Sequence, residues 1–167
     1  LLNSQGVRAT FYVSPHNLTG DRPAAWRQAA RDGHEIGNHT LTHPCSGNHR
    51  FSRKNAVEDY TLERMEGELT GAQQRISQLI GVTPVTFAYP CGQTFVGRGA
   101  AVRSYVPLVA RYFVVGRGAF SEMPNDPAFC NLAQVTGLGL DTATWDTAKA
   151  MIARAEASLA GAATSSP

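Results

Sequence analysis

At 167 residues the chain fits one domain large enough to bury a core, and a 43% hydrophobic content is ordinary for a globular protein. The formal charge of +2 is too small to argue for a nucleic-acid or anionic-membrane partner. No apolar run approaches the roughly 18 to 20 residues that a bilayer helix needs.

Taken in order, 1–6 reads as the end of a helix stopped by Gly6, followed by a buried strand over 7–13 rich in strand formers. Asn17-Leu18-Thr19 fits a glycosylation acceptor in the next loop, on a short pattern of little weight. Asp21 is placed to cap a helix with Pro23 in its first turn, running through Trp26 to Asp32 and ended by Gly33. A short strand, 34–37, then delivers His39 and His43 onto a loop. Strand, helix, glycine, strand is the rhythm of a parallel α/β fold, whose sites collect where strands end.

After the polar loop 46–54, Asn55 and Glu58 resemble a capping box. Behind it Leu62, Met65, Leu69, Ala72, Ile76 and Leu79 recur at spacings of 3 and 4, with Glu58, Glu63, Glu66, Glu68 and Arg75 mostly opposite. That stripe is helix packing, and Gly81 ends it. A strand over 84–88 runs into the turn Tyr89-Pro90-Cys91-Gly92. A helix is expected within 97–112, a buried strand at Phe113-Val114-Val115, and irregular chain over 116–131. Trp145, Ala148, Ile152, Ala155 and Leu159 predict a last amphipathic helix. The chain opens without Met and closes on a small polar tail, 161–167, so it reads as a piece of a longer protein with a partial domain over 1–160.

His39 and His43 carry the chemistry. Imidazole is the commonest protein ligand for zinc-type ions, and two at i, i+4 can converge on one ion. Alone, such a pair reads more readily as loop histidines satisfied by backbone and water, because such pairs are frequent by chance. His34 is expected to be structural, donating to backbone, while His16 and His49 are unassigned. Cys45, Cys91 and Cys130 form no paired-cysteine motif, and an odd count leaves the redox compartment open. Cys45 and Cys91 each adjoin a site motif. Two small buried thiols are the expectation there, ahead of a disulfide or an extra soft ligand, and Cys130 is expected in the core. Asp126, Asp141 and Asp146 match no motif as substitute ligands.

Gly33-His34-Glu35-Ile36-Gly37-Asn38-His39-Thr40-Leu41-Thr42-His43-Pro44 resembles the metal-histidine motif of the polysaccharide deacetylase family, also called the NodB-homology or carbohydrate esterase family 4 domain. Thr86-Phe87-Ala88-Tyr89-Pro90-Cys91-Gly92 is similar to the motif forming one wall of that family's substrate groove, and 5–13 to its second strand. The resemblance implies a distorted (β/α) barrel, incomplete at both ends, that deacetylates an N- or O-acetylated carbohydrate polymer. It implies one divalent ion, zinc above others, held by an aspartate with His39 and His43. It also gives the Cys91 backbone N–H the oxyanion and Tyr89 and Pro90 the substrate. Ala88 stands where many members carry an arginine, and Cys91 where tyrosine is common. The family's Asp-Asp motif and its late Leu-x-His strand are missing, so this piece alone is expected to be inactive. A non-catalytic carbohydrate-binding relative is the alternative. The polymeric substrates favour secretion or the cell envelope.

Overall fold

The computed structural model describes residues 2–119, 125–126, 129–137, 139–140 and 143–164. Its strands are β1 (Thr10–Val13), β2 (Glu35–Asn38), β3 (Thr86–Ala88), β4 (Phe95–Val96), β5 (Arg103–Ser104) and β6 (Val115–Arg117). Its helices are α1 (Arg22–Arg31), α2 (Leu62–Ile80), α3 (Val106–Tyr112) and α4 (Trp145–Thr164). β1, β2, β3 and β6 pair in that order, all parallel, while β4 and β5 form a separate antiparallel pair. Each strand of the main sheet lies beside its predecessor. That is the order of a barrel wall, not of a doubly wound sheet, in which the order reverses.

Alternation along the strands sorts residues onto two faces. Phe11, Val13, Ile36 and Phe87 point one way and join buried clusters with Ile76, Ile80, Met65 and Leu69 of α2. α1 locks onto α2 where the Arg27 guanidinium donates to the Leu79 carbonyl at 2.6 Å. Asn38, fully buried, ties the end of β2 to α2 by donating to the Leu69 carbonyl at 2.9 Å. The opposite face carries Thr10, Tyr12, Glu35, Thr86 and Arg117. Gly37 sits on this face because a Cβ there would come within 2.5 Å of the Tyr12 ring.

Several boundaries differ from expectation. β1 starts at Thr10, where pairing with Glu35 begins, and Val7 is left 46% exposed. Asp21 precedes α1 without a side-chain cap; with Pro23 in the first turn, one of the orphan donors is already absent. Asn55 and Glu58 do not open α2. The cap is Thr61, whose hydroxyl accepts from Arg64 N at 3.2 Å, while Glu58 binds Ser46 and Gly47 instead. The strand expected at 113–115 lies two residues later, and Val114 is 65% exposed. Consequently Gly116 and Arg117, expected in irregular chain, belong to β6.

α4 forms as its spacing predicts, but Trp145 and Ile152 are exposed, and the helix runs through Thr164 where a polar tail was expected from 161. The side chains of Ala155 and Leu159 lie outside the description, as do Asp141, Pro124 and Pro127. Cys130 is a half-buried free thiol, not a core residue.

Candidate metal and acyl-transfer site

β2 ends at Asn38, and the chain turns sharply to present both histidines. Thr40 and His43 have φ of 62° and 58°, values that cost a side-chain-bearing residue roughly 1 to 3 kcal/mol each. Local hydrogen bonds hold this conformation. Thr40 N donates to Asn38 Oδ1 at 2.9 Å, Thr40 Oγ1 to the His39 carbonyl at 2.5 Å, and His43 N to Thr40 Oγ1 at 3.1 Å. Ser14 Oγ also donates to the His39 carbonyl, at 2.6 Å, tying in the end of β1.

Glu68 anchors the loop from α2. Its carboxylate accepts from Thr42 N at 2.8 Å and from Thr42 Oγ1 at 2.7 Å, and Tyr60 OH lies 3.1 Å away. It is only 8% exposed, although the helical pattern puts it among the solvent-facing acids. A buried carboxylate needs such partners. The sequence clue is a polar residue next to Leu69 on the buried stripe.

His39 and His43 come together with ring centroids 4.7 Å apart. His39 Nδ1 lies 2.8 Å from the Ala88 carbonyl, which can only accept, so Nδ1 carries the proton and Nε2 keeps its lone pair. Burial pushes the His39 pKa down to about 4, opposed by the Ala88 bond and assisted by the charges of His43 and Arg117. Burial also lowers His43, assisted by His16. Neutral imidazoles, here with the His39 ring oriented by the Ala88 carbonyl, are what an ion of the zinc class requires, so this donor pair fits such an ion. Among the described residues no carboxylate joins them in a cluster tight enough to complete a ligand set. Asp146 pairs with Lys149 at 2.8 Å on exposed α4.

The second motif meets the first through a bond. Cys45 and Cys91 form a disulfide with Cα atoms 6.0 Å apart, correcting the expectation of two free thiols. Cys91 is the third non-glycine residue with positive φ (54°) among the described residues, and all three belong to the site. The turn is closed by Gly92 N donating to the Tyr89 carbonyl and Gln93 N to that of Pro90. Neither bond uses the Cys91 N–H.

The structure places Tyr89 and Pro90 in the interior, so their side chains cannot offer a substrate surface as expected. Tyr89 is 2% exposed, and its hydroxyl donates to the Ala133 carbonyl at 2.6 Å. Surface beside the histidines comes instead from a cleft of about 360 Å³ lined by His16, Asn17, Thr42, His43, Phe51 and Asn55. His49 stacks on Phe51 at 5.4 Å and adjoins this cleft through it. A second cleft, about 430 Å³, lies between 2–3 and α1 and shares no residue with the histidine pair.

His34 is structural as expected, but its Nδ1 accepts from Ala9 N at 3.2 Å where a donor was anticipated. Arg117 is the residue that sequence reasoning missed. The register pairs it with Ala88, and its charge reaches both His39 and Tyr12. Among the described residues its guanidinium forms no ion pair. Only the pairing of β3 with β6 reveals it.

The family model described as polysaccharide deacetylase matches residues 1–104. A chitin deacetylase of Colletotrichum lindemuthianum is 36% identical over 75 residues, covering 40% of this chain and 30% of that protein. The structure of the deacetylase PplD from Streptococcus pyogenes in complex with acetate aligns with TM-score 0.63 at 13% identity, covering 90% of this chain and 61% of the other. An acetyl xylan esterase from Clostridium thermocellum, in complex with a cobalt ion, aligns with TM-score 0.51 at 20% identity, covering 77% and 52%. The structural likenesses show a shared fold. The chain spans 25%, 5% and 30% of the lengths of three curated relatives, and thus less than a third of each.

Proposed function

The chain belongs to the polysaccharide deacetylase family, and from that premise we propose that it forms part of a metal-dependent enzyme that removes acetyl groups from a carbohydrate polymer. The observation that carries this reading is the His39–Ala88 hydrogen bond, which leaves Nε2 of a neutral, half-buried imidazole available beside His43. His39 and His43 would hold one divalent ion, zinc in first place, with Nε2 of His39 as one donor. When bound, such an ion polarises the acyl carbonyl and lowers the pKa of water. The Cys91 backbone N–H, brought beside the histidine loop by the disulfide, donates to the oxyanion that develops on that carbonyl. Arg117 adds positive charge next to Ala88. The cleft bordered by His16, Phe51 and Asn55 receives the sugar.

The proposed third ligand and proton acceptor are aspartates on a neighbouring strand, since residues 1–167 contain no adjacent Asp pair. The test is acetate release from an N-acetylglucosamine oligomer by the longest natural form of the protein with zinc supplied. Release stopped by chelation and by His39→Ala is the expected result; release indifferent to both removes the proposal. The ligand set, incomplete among the described residues, also favours a second reading, a carbohydrate-binding relative without turnover. Oligosaccharide binding with no acetate release from the longest form selects it. Acetate release by residues 1–167 alone would refute the need for further ligands.

A further inference from the structure

His43 has two ring nitrogens, and they face different company. Nδ1 lies 3.7 Å from Cys45 Sγ, and Cys91 Sγ completes a group whose ligand atoms are all within 4.8 Å of one another. In a tetrahedral zinc site, bond lengths of about 2.0 to 2.1 Å to nitrogen and about 2.3 Å to sulfur put the two ligand atoms roughly 3.6 Å apart. The His43–Cys45 spacing already matches. We propose that reduction of the Cys45–Cys91 disulfide opens a site for a thiophilic ion, of the zinc, cadmium or copper(I) class, held by His43 Nδ1 and the two sulfurs.

Each donor is held by bonds that do not depend on the disulfide. Cys45 is fully buried; its N–H donates to Ser52 Oγ at 2.8 Å, and its carbonyl accepts from Ser52 Oγ at 2.9 Å and Val57 N at 3.0 Å. His43 hangs from Thr40 Oγ1, and Cys91 sits in the turn closed by Gly92 and Gln93. With the Cα atoms 6.0 Å apart, rotation of the two side chains can bring the sulfurs to ligand spacing once the disulfide opens. Cys91 is half-buried, so solvent and an ion reach the site while Cys45 forms its floor. Soft thiolates favour softer ions such as cadmium and copper(I) more than a site of imidazoles and carboxylate does. The oxidation state of one bond thereby decides whether a second ion can occupy His43.

The chemistry balances with a phosphine or a dithiol as reductant. A phosphine gives two electrons to the S–S bond, water supplies the oxygen of the phosphine oxide and the two protons of the thiols, and metal binding then displaces those protons.

The test uses the chain carrying Cys130→Ser, leaving Cys45 and Cys91 as its only cysteines, since the sequence has three. Reduced and oxidised samples, freed of phosphine, are titrated with cobalt(II) while thiolate-to-cobalt charge-transfer absorption is recorded. Expected is a band that saturates at one equivalent in the reduced sample and is absent in the oxidised one, with affinity falling at least tenfold in His43→Ala and Cys91→Ser. No band on reduction, or unchanged affinity in His43→Ala, overturns the proposal. Loss of the far-ultraviolet dichroism on reduction also overturns it, because the donors would then not be held in place. Cobalt bound without a thiolate band reports on the His39–His43 pair instead, so the two readings fail separately.

Discussion

On the face of the sheet that α1 and α2 cover, Phe11, Val13, Ile36 and Phe87 are apolar, and the polar strand residue Asn38 is hydrogen-bonded through both its oxygen and its nitrogen. On the other face Glu35 accepts from Thr10 Oγ1 at 2.6 Å and from Thr86 Oγ1 at 2.7 Å, with Tyr12 and Arg117 beside them. The first face holds the fold by area and shape. The second holds charged and hydroxyl groups by hydrogen bonds: Thr10, Glu35 and Thr86 open β1, β2 and β3, at the strand ends away from the histidine pair that follows Asn38. The two faces are thus held by different forces, and substitutions should divide accordingly.

Phe87→Ala should have the largest effect. The ring is fully buried and lies 5.0 Å from Tyr89 and 5.3 Å from Phe113, so truncation leaves a cavity worth about 3 to 5 kcal/mol. Denaturant unfolding checks the loss. If it stays below about 1 kcal/mol, the covered face is not the source of stability assigned to it.

Glu68→Ala comes next, because this residue connects the packed helix to the site loop. It removes the charged acceptor of Thr42 N and Thr42 Oγ1, at about 1.5 to 3 kcal/mol, with water partly replacing it because Thr42 is exposed. It should also weaken zinc binding through His43 by about tenfold, the usual cost of removing an outer support of a metal ligand. Glu68→Gln, which keeps an acceptor, should lose less of both. Calorimetric zinc titration of the two variants separates a positioning role from simple destabilisation, which would leave the affinity of the folded fraction unchanged.

The packed face was largely legible in the sequence. The spacing of Met65, Leu69, Ala72 and Ile76 maps onto the buried side of α2, and the glycines at 6, 33 and 81 stop elements as their left-handed φ values require. The histidine pair was legible as well, through its flanking motif. What was not legible depends on pairing between distant residues. Arg117 reaches the site only through the register of β6 on β3, and Cys45 meets Cys91 only when the loop after β2 folds over the turn after β3. The inward turn of the Tyr89 and Pro90 side chains was not legible either, because a motif near a groove does not say which way its side chains face. Neither local propensity nor periodicity encodes such facts.

Glu35→Gln probes the polar face directly. The amide accepts from one hydroxyl and can donate to the other, so only the charge assistance of these bonds is lost, at about 1 kcal/mol, less than either preceding change. A cost rivalling that of Phe87→Ala would mean that the polar face carries the fold too, and the division between the faces would fail.

The smallest effect concerns how dry that face is. Burial raises the pKa of Tyr12 above its ordinary value of 10.0; the negative charge of Glu35 adds to this, while the Thr86 hydrogen bond and Arg117 oppose it. Tyrosine is neutral when protonated, so above about pH 10 the unfolded chain loses a proton that the folded chain retains. The contribution is therefore complete below the unfolded pKa and is lost as pH rises through the folded one. Tyr12→Phe removes this group from the balance. The stability advantage of the wild type over Tyr12→Phe should shrink with rising pH above about 10, by less than about 1.4 kcal/mol per pH unit, the limit for one proton. Unfolding curves for the two proteins across that range measure the difference. Parallel curves would show that Tyr12 ionises as freely as in water, and that the open face is wetter than the packing around Gly37 implies.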